Sequence, residues 1–344
     1  MELELFFHFK AKMQFFIDDG VILDACGRWN LGHNCVYYSQ ANRPDYDESP
    51  HLVELRLAYC KINAKKKSEL KALTTFYLDN VMLMDQSMDY ILSGCPVLEE
   101  LTLWFGTRIH VSCPTLLSLD ISGTVEVLDI TNVASIVEVS VNRMEKFDFK
   151  EYNDYQEMRI LLQTITGAKT LKLCSWFALV FSSWQLTNLP APTFSCKMLH
   201  LQLDFVKWHL PGIVNLLKHC PSLENLIIEI TAYYDYPSRN ATSWIHPYDF
   251  DGDEFWNMVD TPVQCLTHHL KTVEVAGFVM EKHVIHFVEY LLRSSMVLEE
   301  MVIFAEKQTW IYGPITLMSG KVQEFEERLM NAPKASASAA VVFY

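Results

Sequence analysis

A six-residue pattern, apolar-x-x-apolar-x-apolar, recurs along most of the chain. It reads Leu52-x-x-Leu55-x-Leu57, Leu73-x-x-Phe76-x-Leu78, Leu98-x-x-Leu101-x-Leu103 and Leu116-x-x-Leu119-x-Ile121. It continues as Val125-x-x-Leu128-x-Ile130, Ile136-x-x-Val139-x-Val141 and Met144-x-x-Phe147-x-Phe149. Later copies are Met198-x-x-Leu201-x-Leu203, Leu223-x-x-Leu226-x-Ile228, Leu270-x-x-Val273-x-Val275 and Leu298-x-x-Met301-x-Ile303, with a weaker one at Ala168-x-x-Leu171-x-Leu173. The second half of each copy alternates with period two, which predicts a half-buried strand.

The copies are unevenly spaced. Leu52 to Leu73 is 21 residues, Leu73 to Leu98 is 25, Leu98 to Leu116 is 18 and Leu270 to Leu298 is 28. These fall in or near the roughly 20–29 residues of a leucine-rich repeat. The expected fold is therefore α/β, a leucine-rich-repeat solenoid in which a curved parallel sheet carries helices and loops on its outer face. An ordinary α/β core is the competing reading, and it does not account for so many copies of one template.

The return segments differ. Met88, Ile91 and Leu92 predict a short helix, Ile213, Leu216 and Leu217 another, and Val284, Phe287, Val288, Leu291 and Leu292 a longer one. Leu116, Val125, Ile136 and Met144 are only 9, 11 and 8 residues apart. No helix fits there, so tight turns such as one at Gly123 are expected to join those strands.

With 344 residues, half of them apolar, the chain can bury a large core without dividing into domains. Its net charge of −14 argues against a nucleic-acid phosphate footprint, which needs a basic face. The one basic run, Lys61 with Lys65, Lys66, Lys67 and Lys71, reads most simply as a solvated loop. Nine cysteines lie at irregular positions without a CxxC pair. Cys95, Cys113 and Cys220 each precede a proline three residues before a repeat leucine, a place for buried small hydrophobes. A disulfide framework is not expected, which points to a reducing compartment, cytoplasmic or nuclear. Charges within the first 25 residues break any signal-peptide core. No uncharged run reaches the roughly 18 residues of a membrane span.

Residues 231–262 break the template. This insert holds Tyr233, Tyr234, Tyr236, Trp244, Tyr248, Phe250, Phe255 and Trp256 among Asp235, Asp249, Asp251, Asp253, Glu254 and Asp260. Exposed aromatics anchor interfaces, so Tyr234, Trp244 and Trp256 are candidate binding residues; the alternative is a loop whose aromatics fold back onto the sheet. Chemistry is sparse. Cys265, His268 and His269 hint at half a zinc site, but no second ligand pair has suitable spacing. His283 and His286 lack the spacing of a zincin helix, and Asp251, Asp253 and Glu254 do not complete a calcium loop. No phosphate loop, dinucleotide fingerprint or GxSxG elbow occurs. No cofactor, metal or catalytic residue is expected.

The stretch Cys265-Leu266-Thr267-His268-His269-Leu270-Lys271-Thr272-Val273-Glu274-Val275, then Gly277-Phe278, is followed by Tyr290-Leu291-Leu292 and Val297-Leu298-Glu299-Glu300-Met301-Val302-Ile303. It resembles the FBD domain of plant F-box proteins with leucine-rich repeats. That family joins a CL-x-x-HLK-x-V-x-I-x-GF strand to a YLL helix and a VLE-x-M-x-I strand. Gly94-Cys95-Pro96-Val97-Leu98-Glu99-Glu100-Leu101, Trp256 and the closing Ser336–Phe343 are also similar to the family. Met280 stands where the family often has glycine. The resemblance implies that Val341–Phe343 forms a last strand after a helix from about Lys321 to Met330, whose Val322, Phe325 and Leu329 would cap the repeats.

The resemblance also implies a substrate-recruiting subunit of an SCF-type ubiquitin ligase, whose N-terminal F-box helix bundle grips the adaptor. Residues 1–49 show no recognisable F-box: no Leu-Pro start, no run of leucines and no Ser-x-x-Trp-Arg end, and Gly27-Arg28-Trp29 does not stand in for it. The expected organisation is this N-terminal segment, leucine-rich repeats over 50–230, the insert over 231–262 and an FBD-like region over 263–344. The expected function is non-catalytic recognition of a target protein. An F-box-less binding protein without a ligase role, truncated or competing with full-length relatives, is the alternative. An adaptor partner is expected only if a docking element exists; nucleic acid and membrane are not expected. Strand alternation turns Arg56, Thr102, Lys172, Gln202 and Glu274 away from the leucines, where they are candidate protein-binding residues or simply a solvated face.

Overall fold

The computed structural model describes residues 13–17, 21–25 and 38–39 and most of 52–344; outside the described residues in that span are 59–60, 65–66, 68–69, 84–85, 105–107, 124–126, 144–151, 232–254, 258, 260–261, 278, 280–282 and 306–314. The chain divides into two compact units, Met1–Glu145 with Ile160–Gly167, and Lys146–Arg159 with Ala168–Tyr344.

In chain order the first unit contains β1 (Met13–Ile17), β2 (Val21–Ala25), β3 (Tyr38–Ser39), β4 (Glu54–Ala58), β5 (Lys61–Ala64), β6 (Thr75–Asp79), β7 (Met82–Leu83), α1 (Ser87–Leu92), β8 (Glu100–Trp104), β9 (Arg108–Ser112), β10 (Ser118–Gly123), β11 (Val127–Thr131) and β12 (Glu138–Arg143). Next comes α2 (Tyr152–Thr164), whose residues fall to both units. The second unit continues with β13 (Thr170–Cys174), α3 (Ser175–Thr187), β14 (Met198–Leu203), α4 (Leu210–His219), β15 (Asn225–Ile230), α5 (Gln264–His268), β16 (Thr272–Gly277), α6 (Val284–Ser294), β17 (Glu300–Ala305), α7 (Ile315–Met330) and β18 (Ala340–Phe343).

In the first unit β4, β6, β8, β10 and β12 pair in parallel and in register, with β3 antiparallel on β4. In the second, β13 to β18 pair in parallel in sequence order. The template leucines explain the register. Leu55, Phe76, Leu101, Leu119 and Val139 occupy matching positions, as do Leu57, Leu78, Leu103, Ile121 and Val141, and all are buried. Leu171, Leu199, Leu226, Val273 and Met301 form the equivalent buried row in the second unit. A one-residue slip would turn a whole strand's apolar set to solvent, and each buried leucine contributes roughly 2 kcal/mol.

The backbone repeats as faithfully as the leucines. In most repeats the carbonyl just before the strand accepts two N–H groups from the next repeat. Thr74 O takes Glu99 N and Glu100 N, both at 2.9 Å; Glu99 O takes Leu117 N and Ser118 N at 2.8 and 2.9 Å. In the second unit Lys197 O takes Glu224 N and Asn225 N at 2.9 Å, and Lys271 O takes Glu299 N and Glu300 N at 2.8 and 3.1 Å. Upstream, the Leu98, Leu116 and Leu223 N–H groups donate to the carbonyls of Cys95, Cys113 and Cys220. Those cysteines are buried, as expected of small hydrophobes at the turn into a strand.

The return segments match the expected helices at α1, α4 and α6, and depart from expectation in two places. The Val125 copy of the template is not a repeat strand: β11 pairs only with β9, in a separate parallel pair. Leu116 to Ile136 is 20 residues, one repeat, so β11 is the return segment, built as strand because no helix fits. Gly123 ends β10 with φ +96°. The Met144 copy lies outside the described residues. The second departure is α3, which no stripe in the sequence announces, because Trp176, Phe177, Leu179, Val180, Phe181 and Trp184 bury it on every side.

The tail behaves as the resemblance implies. β18 pairs with β17, Ser336 Oγ donates to Leu298 O at 2.6 Å, and α7 lays Phe325 6.0 Å from Phe343 while Arg328 forks onto Glu289 at 2.6 and 2.8 Å.

α3 and α4 approach each other through Gly212. A Cβ there would lie 1.8 Å from Ala178 O. Ser182 Oγ accepts from Gly212 N at 2.7 Å and donates to Trp208 O at 2.6 Å, and Asn215 Nδ2 donates to Phe181 O at 2.9 Å. Replacing Gly212 by Ala must therefore push backbone off backbone. Gly212→Ala is expected to cost about 2–3 kcal/mol in urea unfolding. Gly167→Ala, whose added methyl meets nothing within 4 Å, should stay within about 0.5 kcal/mol of the parent or gain slightly.

Candidate recognition faces

Opposite the buried leucines, each unit presents an open face of outward strand positions in register. In the first unit Arg56, Tyr77, Thr102, Asp120 and Ser140 form one row. In the second, Lys172, His200, Ile227, Glu274, Val302 and Val342 form a row, and Gln202, Glu229, Ala276 and Phe304 the next, in register with the buried Cys174. Strand alternation thus places Arg56 with Thr102, and Lys172 with Glu274 and, one row on, Gln202. Each group stays within its own unit.

These side chains are tied to one another. The Arg56 guanidinium sits 5.6 Å from the Tyr77 ring centroid and its Nε donates to Glu54 Oε1. Gln202 Nε2 donates to Glu229 Oε2 at 2.8 Å, and His200 Nε2 lies 3.3 Å from the same oxygen. Thr272 Oγ1 donates to Asn225 Oδ1 at 2.6 Å. Just beyond the strands Lys197 donates to Glu224 at 2.7 Å and holds that carboxyl below the usual range.

Sequence reasoning missed the aromatic members. Trp104, last in β8, is 50% exposed, and Phe304 of β17 is 41% exposed with its ring stacked 5.1 Å from Tyr344. The signal was present: Trp104 is two residues past Thr102, and Phe304 two past Val302, so alternation turns them outward too.

Trp256 is a correction. It is buried, stacked 4.7 Å from Tyr290, with Phe287 tilted and Phe255 edge-on at 5.1 Å each, and its carbonyl accepts from Arg293 Nη2 at 2.6 Å. A 3₁₀ turn at Phe255–Asn257 folds it onto α6. It is core, not an interface anchor, since aromatic content does not disclose which rings a core will take. Tyr234 and Trp244 lie outside the described residues. Cys265 and the two histidines do not converge either. They lie on and just after a helix, α5, with Cys265 inside and His268 exposed. The Cys265 thiol donates to Leu217 O at 3.3 Å, and burial pushes its pKa up to about 12, against the thiolate a metal needs. Among the described residues no group of three His, Cys, Asp or Glu is placed to hold a metal ion. On the return side of the first unit, His110 links Asp89 (Nδ1 to Oδ1, 2.6 Å) and Thr131 (Nε2 to Oγ1, 3.1 Å), with imidazole and carboxylate both well exposed, and so ties α1, β9 and β11 together.

Residues 47–341 match the family described as At1g61320/AtMIF1, LRR domain. The chain belongs to this leucine-rich-repeat family. Among its relatives in Arabidopsis thaliana, the putative F-box/LRR-repeat protein At3g18150 is 25% identical over 268 residues, 68% of this chain and 56% of that protein. The F-box/LRR-repeat protein At5g02910 is 23% identical over 67% of this chain and 57% of its own length. The F-box/FBD/LRR-repeat protein At1g51370 is 24% identical over 73% and 60%. The chain thus spans a little over half the length of these relatives. No solved structure matches it. Among the described residues no helix is long and apolar enough to cross a membrane.

In the second unit, where β14 leads into α4, one imidazole is fully enclosed. His209 has no exposed surface; its Nδ1 accepts from Val206 N at 3.3 Å and its Nε2 lies 3.5 Å from Asp204 Oδ1, which in turn accepts from Ser175 Oγ at 2.7 Å. Burial pushes the imidazole pKa down, more than Asp204 raises it. Between that depressed pKa and the ordinary value near 6.5, the unfolded chain holds the extra proton. Stability is therefore full above about pH 6.5 and is lost as pH falls below it. Urea unfolding from pH 7.5 to 5 should show a component of up to about 1.4 kcal/mol per pH unit, which His209→Gln removes.

Proposed function

We propose that this chain is a non-catalytic protein-recognition scaffold, the substrate-binding subunit of an SCF-type ubiquitin ligase. The observation that carries the reading is the pair of open faces: in-register polar and aromatic side chains held outward on parallel strands, in a family whose relatives are named F-box/LRR-repeat proteins. A rigid ladder presents those groups at little ordering cost, which is what a recognition surface needs. The target is a protein, read by the rows that include Arg56, Thr102, Lys172, Gln202 and Glu274.

The C-terminal region is in this reading FBD-like. Support comes from the Gly277 that closes β16. Its φ is +94° and an added Cβ would lie 2.1 Å from Ile230 O, so the glycine of the strand-ending GF pair is required by a close backbone approach. Cytoplasmic or nuclear residence is supported by the six described cysteines, all buried and none joined in a disulfide. A second reading, a binding protein without ligase function, is favoured by one observation: Met13–Ile17 and Val21–Ala25 form an antiparallel strand pair extended by β5, whereas an F-box is a helix bundle.

Purification of the tagged chain from plant cells, with mass spectrometry of the recovered proteins, separates the two. Recovery of the adaptor and cullin is the expected result. Their absence, with other partners retained, establishes the ligase-free binding protein. Target proteins recognised by the open faces should be lost when Thr102→Arg and Gln202→Arg are combined, with adaptor recovery unchanged.

A further inference from the structure

We propose that the open face of the first unit seats a basic segment of a target protein, with a lysine or arginine side chain laid on Trp104 beside Asp79. This names the chemistry of the partner and rests on the recognition reading above.

Three features of the face converge. The first is Trp104 itself. It is half exposed and, among the described residues, has no ring or cation partner. Its register neighbours are Asp79 on β6 and Ser122 on β10, so an acid flanks it on one side and a small hydroxyl residue on the other. The Asp79 carboxylate likewise has no hydrogen-bond or ion-pair partner among the described residues, and partial burial raises its pKa. A partly buried carboxylate next to an exposed indole is a pairing that a cation satisfies twice, by charge and by the ring quadrupole.

The second feature is charge. The outward positions of β4, β6, β8, β10 and β12 carry Glu54, Asp79, Glu100, Asp120 and Glu138 against a single basic residue, Arg56. Arg56 is already engaged by Glu54 and Tyr77. An acidic partner would meet repulsion across the whole face, whereas a basic one is attracted before contact.

The third feature is that the face already holds one copy of the proposed contact. Arg56 lies over Tyr77 with Glu54 at its Nε. That is a guanidinium on an aromatic ring with a carboxylate at its edge. Trp104 and Asp79 repeat the ring and the carboxylate one strand across, and the cation is what the chain does not supply. The relief fits an extended segment. Arg56, Tyr77 and Trp104 are bulky, while the facing positions on β10 and β12 beyond Glu138 at the strand entry are Ser118, Asp120, Ser122, Ser140 and Asn142. A peptide backbone can lie over the small residues and reach back onto the indole.

The test uses the full chain and fluorescein-labelled peptides of alternating glycine with arginine, lysine or glutamate, read by fluorescence polarisation at physiological salt. The arginine and lysine peptides are expected to bind and the glutamate peptide not. Trp104→Ala and Asp79→Asn should each weaken binding about five-fold, with Phe304→Ala in the second unit as an unchanged control. Because Trp104 is half exposed, its variant should unfold at the parent's urea midpoint. The proposal is overturned if no basic peptide binds, or if both variants bind as the parent does, which would assign the attraction to the overall negative charge. Adaptor recovery is measured separately on the same variants. If it persists while the peptide result fails, the recognition reading stands and only this inference falls. If the parent recovers no adaptor but the peptides bind as expected, the ligase role falls and this inference stands.

Discussion

The structure depends on one recurring hydrogen-bond arrangement: a backbone carbonyl, just before the strand in most repeats, that accepts two N–H groups from the following repeat. A backbone N–H left unpaired away from water costs about 1–3 kcal/mol, and a strand that entered at the wrong residue would leave both donors without this carbonyl at once. The leucine columns penalise the same error from the side-chain direction, since a one-residue shift exposes them. Two independent constraints therefore choose the same register, and neither depends on how the chain returns between strands. That independence explains how α1, β9, β11, α3, α4 and α6, so different in length and type, connect strands that align residue for residue.

Function follows from the same constraint. Register fixed on the buried side is register fixed on the open side, so Arg56, Tyr77, Thr102 and Asp120 stand in line although they are scattered over more than sixty residues of sequence. Stabilising groups are concentrated elsewhere, in the helix layer of the second unit. There Gly212 lets α4 close on α3, Ser182 and Asn215 tie the two helices, and Trp256 packs onto α6. Loss of a residue from that layer acts on stability, whereas an outward row residue is free to differ from one relative to another without disturbing the ladder.

Much of this was legible in the sequence. The template predicted the strands because period-two alternation after a fixed leucine is a backbone requirement, and the stripes at Met88, Ile213 and Val284 predicted helices whose one apolar face is buried. What was not legible has physical reasons. α3 is enclosed on all sides and so shows no stripe. β11 alternates like a repeat strand because it too is a half-buried strand, though it pairs in another sheet. Trp256 and Trp104 are indistinguishable by residue type, yet one is core and the other half exposed. Only their positions differ: Trp104 falls on the outward parity of a template strand, and Trp256 falls outside any template copy. The open-face residues came out as groups only because parity could be read; which of them a partner touches is a property of the partner as well.

Residue-resolved amide hydrogen exchange tests the central claim most directly. The N–H groups of Glu99, Leu117, Lys197, Glu224, Lys271 and Glu299 precede their strands, and each makes the first of the paired bonds to the upstream carbonyl. If that arrangement holds the repeats in register, these amides exchange as slowly as the buried strand amides beside them, such as Leu101, Leu199 and Val273. If they exchange at the rate of exposed turn amides while the strands stay protected, the carbonyl does not set the register and the account built on it is wrong.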